Sequence, residues 1–284
     1  MKRLVCHTDK VKLSRFLADS IEGLKPSYIR MLIKNKDIKI NGRRVSSDET
    51  LNKGDNLEVY LDEKKLYPPR YQVLGDYKDI AVFYKPVGII SEVFALGVQL
   101  AHSANYKLCH RLDTNTDGLV IFSKNTKAYQ LVKDAFKKGY ITKNYQALLC
   151  GNLNKSVKLV AYLAKDAERG VVQIYDSPKQ GAVKILTEAT PIKTLSSLVP
   201  LTLAEITLHT GKTHQIRAHL AHYGYPILGD AKYGDFAANR TFKLKKQCLT
   251  ACKLGFSFPS SSPLFYLNEV TIQIEPSFSI ENII

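Results

Sequence analysis

The sequence predicts an α+β chain of two domains: a small α/β domain of two helices and a small sheet, then a larger strand-rich domain with helices between its strands. Three observations predict it. Apolar residues recur at helical spacing twice in the first 33 residues, a proline-bearing break follows near residue 65, and apolar runs of strand length dominate what comes after. The chain has 284 residues, more than one average domain needs. Its hydrophobic and charged fractions, 45% and 24%, are those of ordinary globular proteins, so burial can offset the entropy of ordering the chain.

Over residues 12–22, Leu13, Phe16, Leu17 and Ile21 share one helical face. After Gly23 a second helix carries Ile29, Leu32 and Ile33, with Pro26 suited to its first turn. Ile38-Lys39-Ile40 and Arg43-Arg44-Val45 flank Asn41-Gly42, a pair that tolerates positive φ and so favours a type I′ hairpin. Leu57, Val59 and Leu61 alternate as a further strand, and the first domain is assigned to residues 1–61. Pro68 and Pro69 continue neither a helix nor a paired strand, so residues 62–72 are read as a linker. In the second domain, 73–284, strands are expected over 80–84, 119–123, 141–149 and 201–209. A helix with Ala128, Leu131, Val132, Ala135 and Phe136 on one face lies between the second and third of these and stops at Gly139. No internal repeat or low-complexity tract is present.

Lysine and arginine number 41 against 26 aspartates and glutamates, a net charge of +15. A polyanion such as nucleic acid is the commonest physical reason for this excess, with a uniformly basic proteome as the alternative. Position favours the first. Between Lys25 and Arg44 seven basic residues stand against Asp37 alone, concentrated on the second helix and the hairpin, which suits an RNA backbone. The five cysteines are scattered and lack CxxC spacing, so reduced thiols are expected, with Cys248 and Cys252 as packing. Met1-Lys2-Arg3 runs into His7, Thr8, Asp9 and Lys10 without the apolar core of a signal peptide, and no run reaches membrane-spanning length. A soluble, cytoplasmic monomer is expected.

Two segments carry candidate chemistry. His110-Arg111-Leu112-Asp113-Thr114-Asn115-Thr116-Asp117-Gly118 is dense in turn formers and leads into an apolar strand, as a surface loop on a rigid support would. Taken alone, Asp113 beside Arg111 is the pattern of a local ion pair. In Leu208-His209-Thr210-Gly211-Lys212-Thr213-His214-Gln215-Ile216-Arg217-Ala218-His219 a strand ends in a glycine turn and a helix begins at about His214. Arg217 shares a side with His214, Ala218 and Ala221, away from Ile216, Leu220 and Tyr223, so it is free to reach a partner or to be solvated. His209, His214, His219 and His222 invite a metal reading, but His214 and His219 diverge on a helix and no HExxH spacing occurs, so no metal is expected.

The order of elements in the first domain, with Ser27-Tyr28-Ile29-Arg30 and Ile40-Asn41-Gly42, resembles the small RNA-binding domain first described in ribosomal small-subunit protein S-four. That resemblance implies RNA contacts from Tyr28, Arg30, Lys34, Lys39, Arg43 and Arg44. From about Val73 onward, five ordered motifs resemble the RluA branch of the pseudouridine synthases: Lys85-Pro86-Val87-Gly88, the His-Arg-Leu-Asp loop, Lys143-Asn144-Tyr145-Gln146-Ala147-Leu148, the Gly-Lys-Thr-His-Gln-Ile-Arg segment and Pro226-Ile227-Leu228-Gly229-Asp230. The resemblance implies a mixed, largely antiparallel sheet flanked by helices, with Asp113 as nucleophile, Arg217 orienting it, Tyr145 against the uracil, Arg111 holding a flipped nucleotide, and Lys212 and His214 as RNA contacts. It also implies structured RNA as substrate, 23S ribosomal RNA ahead of transfer RNA.

Isomerising uridine to its C-glycoside involves no redox change and no group donor, so no cofactor is expected. Asp113 is competent to add either to the sugar C1′ or to the ring C6. Lys212 departs from the usual Arg, Asp117 from a small Ser, Ser91-Glu92 from His-Pro and Thr250 from His, departures expected at the pocket rim. The rival reading is a noncatalytic RNA-binding ribosome-assembly factor. A metal-dependent RNA hydrolase would need ligands in a convergent pattern that the sequence lacks.

Overall fold

The computed structural model describes all residues except 22, 23, 25, 62–70, 103–105, 167 and 284. Gly23, Lys25 and most of the expected linker therefore lie outside the described residues. The chain divides into two compact units, Met1–Arg70 and Tyr71–Ile284. Tyr71 and Gln72, read as linker, stand at the start of the second unit.

The first unit runs β1 (Lys2–Val5), β2 (Val11–Lys12), α1 (Leu13–Ser20), α2 (Pro26–Lys34), β3 (Ile38–Ile40), β4 (Arg43–Arg44), β5 (Thr50–Leu51) and β6 (Asn56–Val59). Leu13, Leu17 and Ile21, four residues apart, are buried against Ile29 and Leu32 of α2 and Ile38, Leu57 and Val59 of the sheet. No side chain at Lys12 caps α1. Asp48 does so from a distance, accepting from the Ser14 amide at 2.8 Å and the Ser14 hydroxyl at 2.7 Å. The sheet order is β1-β6-β3-β4, with β2 and β5 as a separate pair. Asn41 and Gly42 both have positive φ, 51° and 81°, as a type I′ turn requires. The sequence reading missed β1, whose Lys-Arg-Leu-Val run lacks an apolar alternation.

The second unit contains β7 (Gln72–Asp76), β8 (Ile80–Lys85), α3 (Ser91–His102), β9 (Lys107–Leu108), β10 (Asp117–Ser123), α4 (Thr126–Lys138), β11 (Ile141–Cys150), β12 (Val157–Asp166), β13 (Val171–Tyr175), β14 (Val183–Leu195), β15 (Leu201–Leu208), α5 (Gln215–His222), α6 (Phe236–Thr241), β16 (Leu249–Phe256) and β17 (Thr271–Gln273). Its large sheet is ordered β13-β12-β14-β15-β11-β16-β10-β8-β7, with β17 beside β16 and β9 beside β10. Among the described strands every pairing is antiparallel except β10 with β16, so the expected mixed, largely antiparallel sheet is the observed one.

All seven residues of β10 are buried. Val120 and Phe122 pack with Phe83 and Phe94 on one face, while Leu119 and Ile121 meet Val132 and Ala135 of α4 on the other. Burial on both faces is why this strand is a continuous apolar run. Helix α4 is capped by the Asn125 side chain, which accepts from the Ala128 amide, and ends at Gly139 in the left-handed conformation. The sequence reading left β12 to β14 unassigned: Pro191 interrupts β14 where its register against β15 shifts, and lysines break the apolar alternation. No described helix is long and apolar enough to cross a membrane.

The parallel β10–β16 contact is short, pairing Asp117 with Thr250 and Gly118 with Ala251. Gly118 has φ +115°, and a Cβ there would lie 2.3 Å from the Ala251 carbonyl oxygen. Gly118→Ala is expected to cost at least about 2 kcal/mol, from a disallowed conformation and an overlap with backbone. Thermal denaturation beside the wild type checks this.

Candidate active site

The segment 110–118 is half surface loop and half buried strut. Arg111 and Thr114 are exposed, whereas Leu112, Thr116 and Asp117 are buried. Rigid neighbours hold it at nearly every residue. The buried Lys85 ammonium donates to the carbonyls of Pro86 and Thr116, both at 2.9 Å, and of Thr114 at 3.4 Å. The Gly88 amide also donates to the Thr114 carbonyl, at 2.7 Å. Ser91 Oγ donates to the Leu112 carbonyl at 2.8 Å and accepts from the Leu112 amide at 3.0 Å. The Gln247 side chain donates to Thr116 Oγ1 at 2.7 Å. Burial lowers Lys85 to about 8, against the opposing pull of Asp117 and Asp113. The Lys85-Pro86-Val87-Gly88 motif thus serves as a clamp on the Asp113 loop.

The structure brings Asp113 and Arg217 together across 104 positions of chain. Arg217 Nη1 donates to Asp113 Oδ2 at 2.8 Å. The same guanidinium donates through Nε and Nη2 to both oxygens of Asp230, at 2.7 and 2.8 Å. Arg217 is buried, so the open choice between solvation and a partner resolves in favour of two carboxylate partners. Asp230 is fully buried and also accepts from the amides of Lys232 and Tyr233. Burial works against its charge, but the Arg217 hydrogen bonds and charge outweigh it and hold the carboxyl below its ordinary range.

Tyr145, on β11, is buried and lines the same cavity. Burial first and the Asp113 charge second push its phenol well above the ordinary range, so it stays protonated in the free protein. His214 sits at the N-cap of α5 with φ +54°, a left-handed conformation in which histidine is enriched but which still costs about 1 kcal/mol. Its Nδ1 lies 2.9 Å from Tyr233 Oη, and its Nε2 lies 3.9 Å from Asp113 Oδ2. Lys143 is half-buried over the Phe136 ring, 4.7 Å from its centroid, and burial lowers it to about 8. The cavity they surround is about 570 Å³, within the range of small-molecule sites. Arg111 and Lys212 also line it, with Arg111 paired to Glu92 at 2.8 Å.

Other expected contacts fall differently. Tyr28 is buried in the core of the first unit, because it stands four residues before Leu32 on the apolar face of α2, and it is not a surface contact. Arg30 and Lys34 are exposed. Arg43 pairs with Glu49 at 2.6 Å, Lys39 pairs with Glu58 at 3.5 Å, and Arg44 lies over the Tyr60 ring. Tyr60, flanked by Lys39 and Arg44, was missed; its place after β6 gave no signal apart from its being aromatic.

The departures do not cluster at the rim as expected. Asp117 and Thr250 are buried and bonded to each other at 2.8 Å, with the Tyr84 hydroxyl on the second Asp117 oxygen, and Ser91 is buried as the Leu112 clamp. Only Glu92 and Lys212 face the opening. The other three histidines of the 209–222 segment lie beside polar side chains, His209 by Glu188, His219 Nδ1 by Thr187 and His222 by Asp176.

The site is thus a carboxylate held by a buried arginine at the wall of a cavity on a mixed sheet, and comparison with known proteins places it in a class. The profile of the RNA pseudouridylate synthase family matches residues 79–222. The chain is 30% identical over 280 residues to an uncharacterised RNA pseudouridine synthase of Mycoplasma pneumoniae, covering 88% of this chain and 86% of the relative. It is 23% identical to the ribosomal large subunit pseudouridine synthase C of Vibrio cholerae, covering 88% and 86%. The solved structure of human RNA pseudouridylate synthase domain containing 1 shares the fold, with a TM-score of 0.58 at 21% identity, over 75% of this chain and 92% of that one. The chain belongs to the RNA pseudouridylate synthase family and is therefore an isomerase that acts on RNA.

Asp230→Ala leaves Arg217 buried without its two-bond partner and is expected to cost about 3–5 kcal/mol, whereas Asp113→Ala leaves the Arg217–Asp230 pair intact and costs no more than about 1 kcal/mol. Urea denaturation of both variants tests the asymmetry. Burial, reinforced by His222, lowers His219 from 6.5 to about 4, so it folds uncharged. Above pH 6.5 its contribution is fully present. Between 6.5 and 4 only the unfolded chain gains the proton, and up to about 3 kcal/mol of stability is lost. Melting temperature is expected to fall across that window, and His219→Gln to flatten the fall.

Proposed function

We propose that this chain is an RluA-type pseudouridine synthase that isomerises uridines in structured RNA, with 23S ribosomal RNA as substrate and Asp113 as nucleophile. The observation that carries the reading is the Arg217–Asp113 contact, which unites two motifs 104 residues apart at a cavity able to take one nucleoside. The name of the Vibrio cholerae relative supports the large ribosomal subunit as target. The exposed Arg30 and Lys34, with the Lys39–Arg44–Tyr60 cluster, support an RNA-capturing role for an S4-like first domain of residues 1–61.

In this mechanism the uridine leaves its stack and enters the cavity, at a cost of about a few kcal/mol met by backbone contacts. Arg217 fixes the orientation of Asp113 through the Nη1–Oδ2 hydrogen bond. Asp113 adds to C1′ or to C6; the N1–C1′ bond breaks, uracil turns, a C5–C1′ bond forms, and the bond from Asp113 to the nucleotide breaks to release the carboxylate. The C5 hydrogen leaves as a proton and N1 gains one, so atoms and charge balance. Tyr145 enters as a neutral phenol packed against the base. When Asp113 becomes an ester its charge is gone, which removes one of the two causes that hold the phenol protonated; Tyr145 then gives its proton to N1 more readily, and the phenolate left behind takes the C5 proton.

The test is incubation of the protein with unmodified large-subunit ribosomal RNA and transfer RNA transcripts, followed by pseudouridine mapping. Pseudouridine at defined ribosomal positions is expected from the wild type, with a loss of at least about a thousandfold in Asp113→Ala. Absence of pseudouridine in every RNA defeats the enzymatic reading of the site, and full activity of Asp113→Ala defeats its nucleophile.

A further inference from the structure

The hydroxyl of Tyr233 sits between two partners. The Val172 amide donates to it at 2.8 Å, and His214 Nδ1 lies 2.9 Å away. Its ring also supports the Arg217 guanidinium, 5.3 Å from the ring centroid, and meets the His214 ring edge-on. With one lone pair taken by Val172, the phenol has one proton to place, and the acceptor within reach among the described residues is His214 Nδ1. An imidazole that accepts at Nδ1 carries its proton on Nε2. That atom is the one that faces Asp113 Oδ2, at 3.9 Å. The opposite tautomer would leave the phenol proton without an acceptor and aim a lone pair at a carboxylate oxygen. Both unfavourable contacts vanish in the first arrangement.

We infer that Tyr233 and His214 are positioning residues for Asp113: Tyr233 fixes His214 as the Nε2–H tautomer, and His214 presents that proton to Oδ2 beside Arg217, leaving Oδ1 unengaged by any described residue. The inference rests on the proposed role of Asp113. Arg217 Nη1 and His214 Nε2 converge on the same oxygen, so the carboxylate is held by one edge. At 3.9 Å the histidine contact is not yet a hydrogen bond, and a closure of about 1 Å as the nucleotide packs the site would make it one. The groups that face His214 are Asp113 and Asp230, which favour its protonation, and Arg217 and Lys232, which oppose it; burial outweighs them and lowers it below its ordinary range. It is therefore neutral near pH 7, the only state in which Nδ1 can accept from Tyr233. The family match ends at residue 222, short of Tyr233.

The experiment has two independent arms on the full chain. Nitrogen-15 NMR of the histidine rings, assigned through His214→Gln, is expected to show His214 protonated at Nε2 and bare at Nδ1 at pH 7.5, and Tyr233→Phe to convert it to a tautomer mixture. The second arm measures pseudouridine formation on the large-subunit transcript. Tyr233→Phe keeps the ring beneath Arg217 and is expected to lower kcat on the order of tenfold, with KM within about twofold and the acid limb of the pH profile displaced. In the His214→Gln background, whose amide supplies its own donor, the Tyr233→Phe loss is expected to shrink below about twofold. An Nδ1–H tautomer in the wild type overturns the inference whatever the activity arm shows. So do an unmoved kcat and acid limb in Tyr233→Phe, or fully additive losses. If no RNA is modified, the proposed function fails, and the ring spectra alone still decide the tautomer.

Discussion

The guanidinium of Arg217 holds the second unit's site together. It is one buried positive charge set between two carboxylates, Asp230 on its Nε and Nη2 side and Asp113 on its Nη1 side. Removing a guanidinium from water is costly, and only a geometry that satisfies most of its donors makes that tolerable. Asp230 supplies that geometry, and it is itself held by the backbone amides of the turn that follows it and by Asn239, which donates to its carbonyl at 3.0 Å. Arg217 is thereby fixed before it meets Asp113. A lysine could not do this, because one point charge cannot bind two carboxylates in fixed directions.

A loop that carries a reactive group needs rigid support, and here the support comes from many sources. Lys85 and Gly88 hold the loop at Thr114 and Thr116, Ser91 holds Leu112, and Gln247 holds Thr116. Viewed this way, the departures from the family pattern have a physical logic. Asp117 brings a carboxylate under the loop, and Thr250 and the Tyr84 hydroxyl occupy its two oxygens. Two of the substitutions therefore satisfy one another. Glu92 does something similar at the opening, where it pairs with Arg111.

Features with a local cause were legible in the sequence. The Asn41-Gly42 turn, the Gly139 stop of α4 and the strand over 119–123 each follow from backbone preference or from an apolar run. The contact of Asp113 with Arg217 has no local cause: nothing in spacing relates positions 104 apart, and only the resemblance of ordered motifs paired them. Tyr28 misled because its place in a basic helix drew attention away from its i, i+4 relation to Leu32. The role of Asp230, whose motif was recognised, and of Tyr233, which was not singled out, stayed hidden for the opposite reason. A Gly-Asp-Ala-Lys-Tyr run reads as an ordinary turn, and its role appears only when α5 delivers Arg217 and His214 to it.

The cavity wall also explains why the net charge of the chain is uneven in its effect. Lys143 has its ammonium against the Phe136 ring and, among the described residues, neither a hydrogen bond nor an ion pair. Burial lowers it to about 8, so near neutral pH it remains mostly charged in a place that disfavours charge. Arg111 and Lys212 line the same opening, and Glu92 offsets one charge there. A cation left in this condition gains more from an incoming phosphate than one already hydrated, since its desolvation has been met in folding the β11 strand. The RNA substrate of this family brings one phosphate per nucleotide. The ion pair that stabilises the fold lies elsewhere, between Arg217 and Asp230.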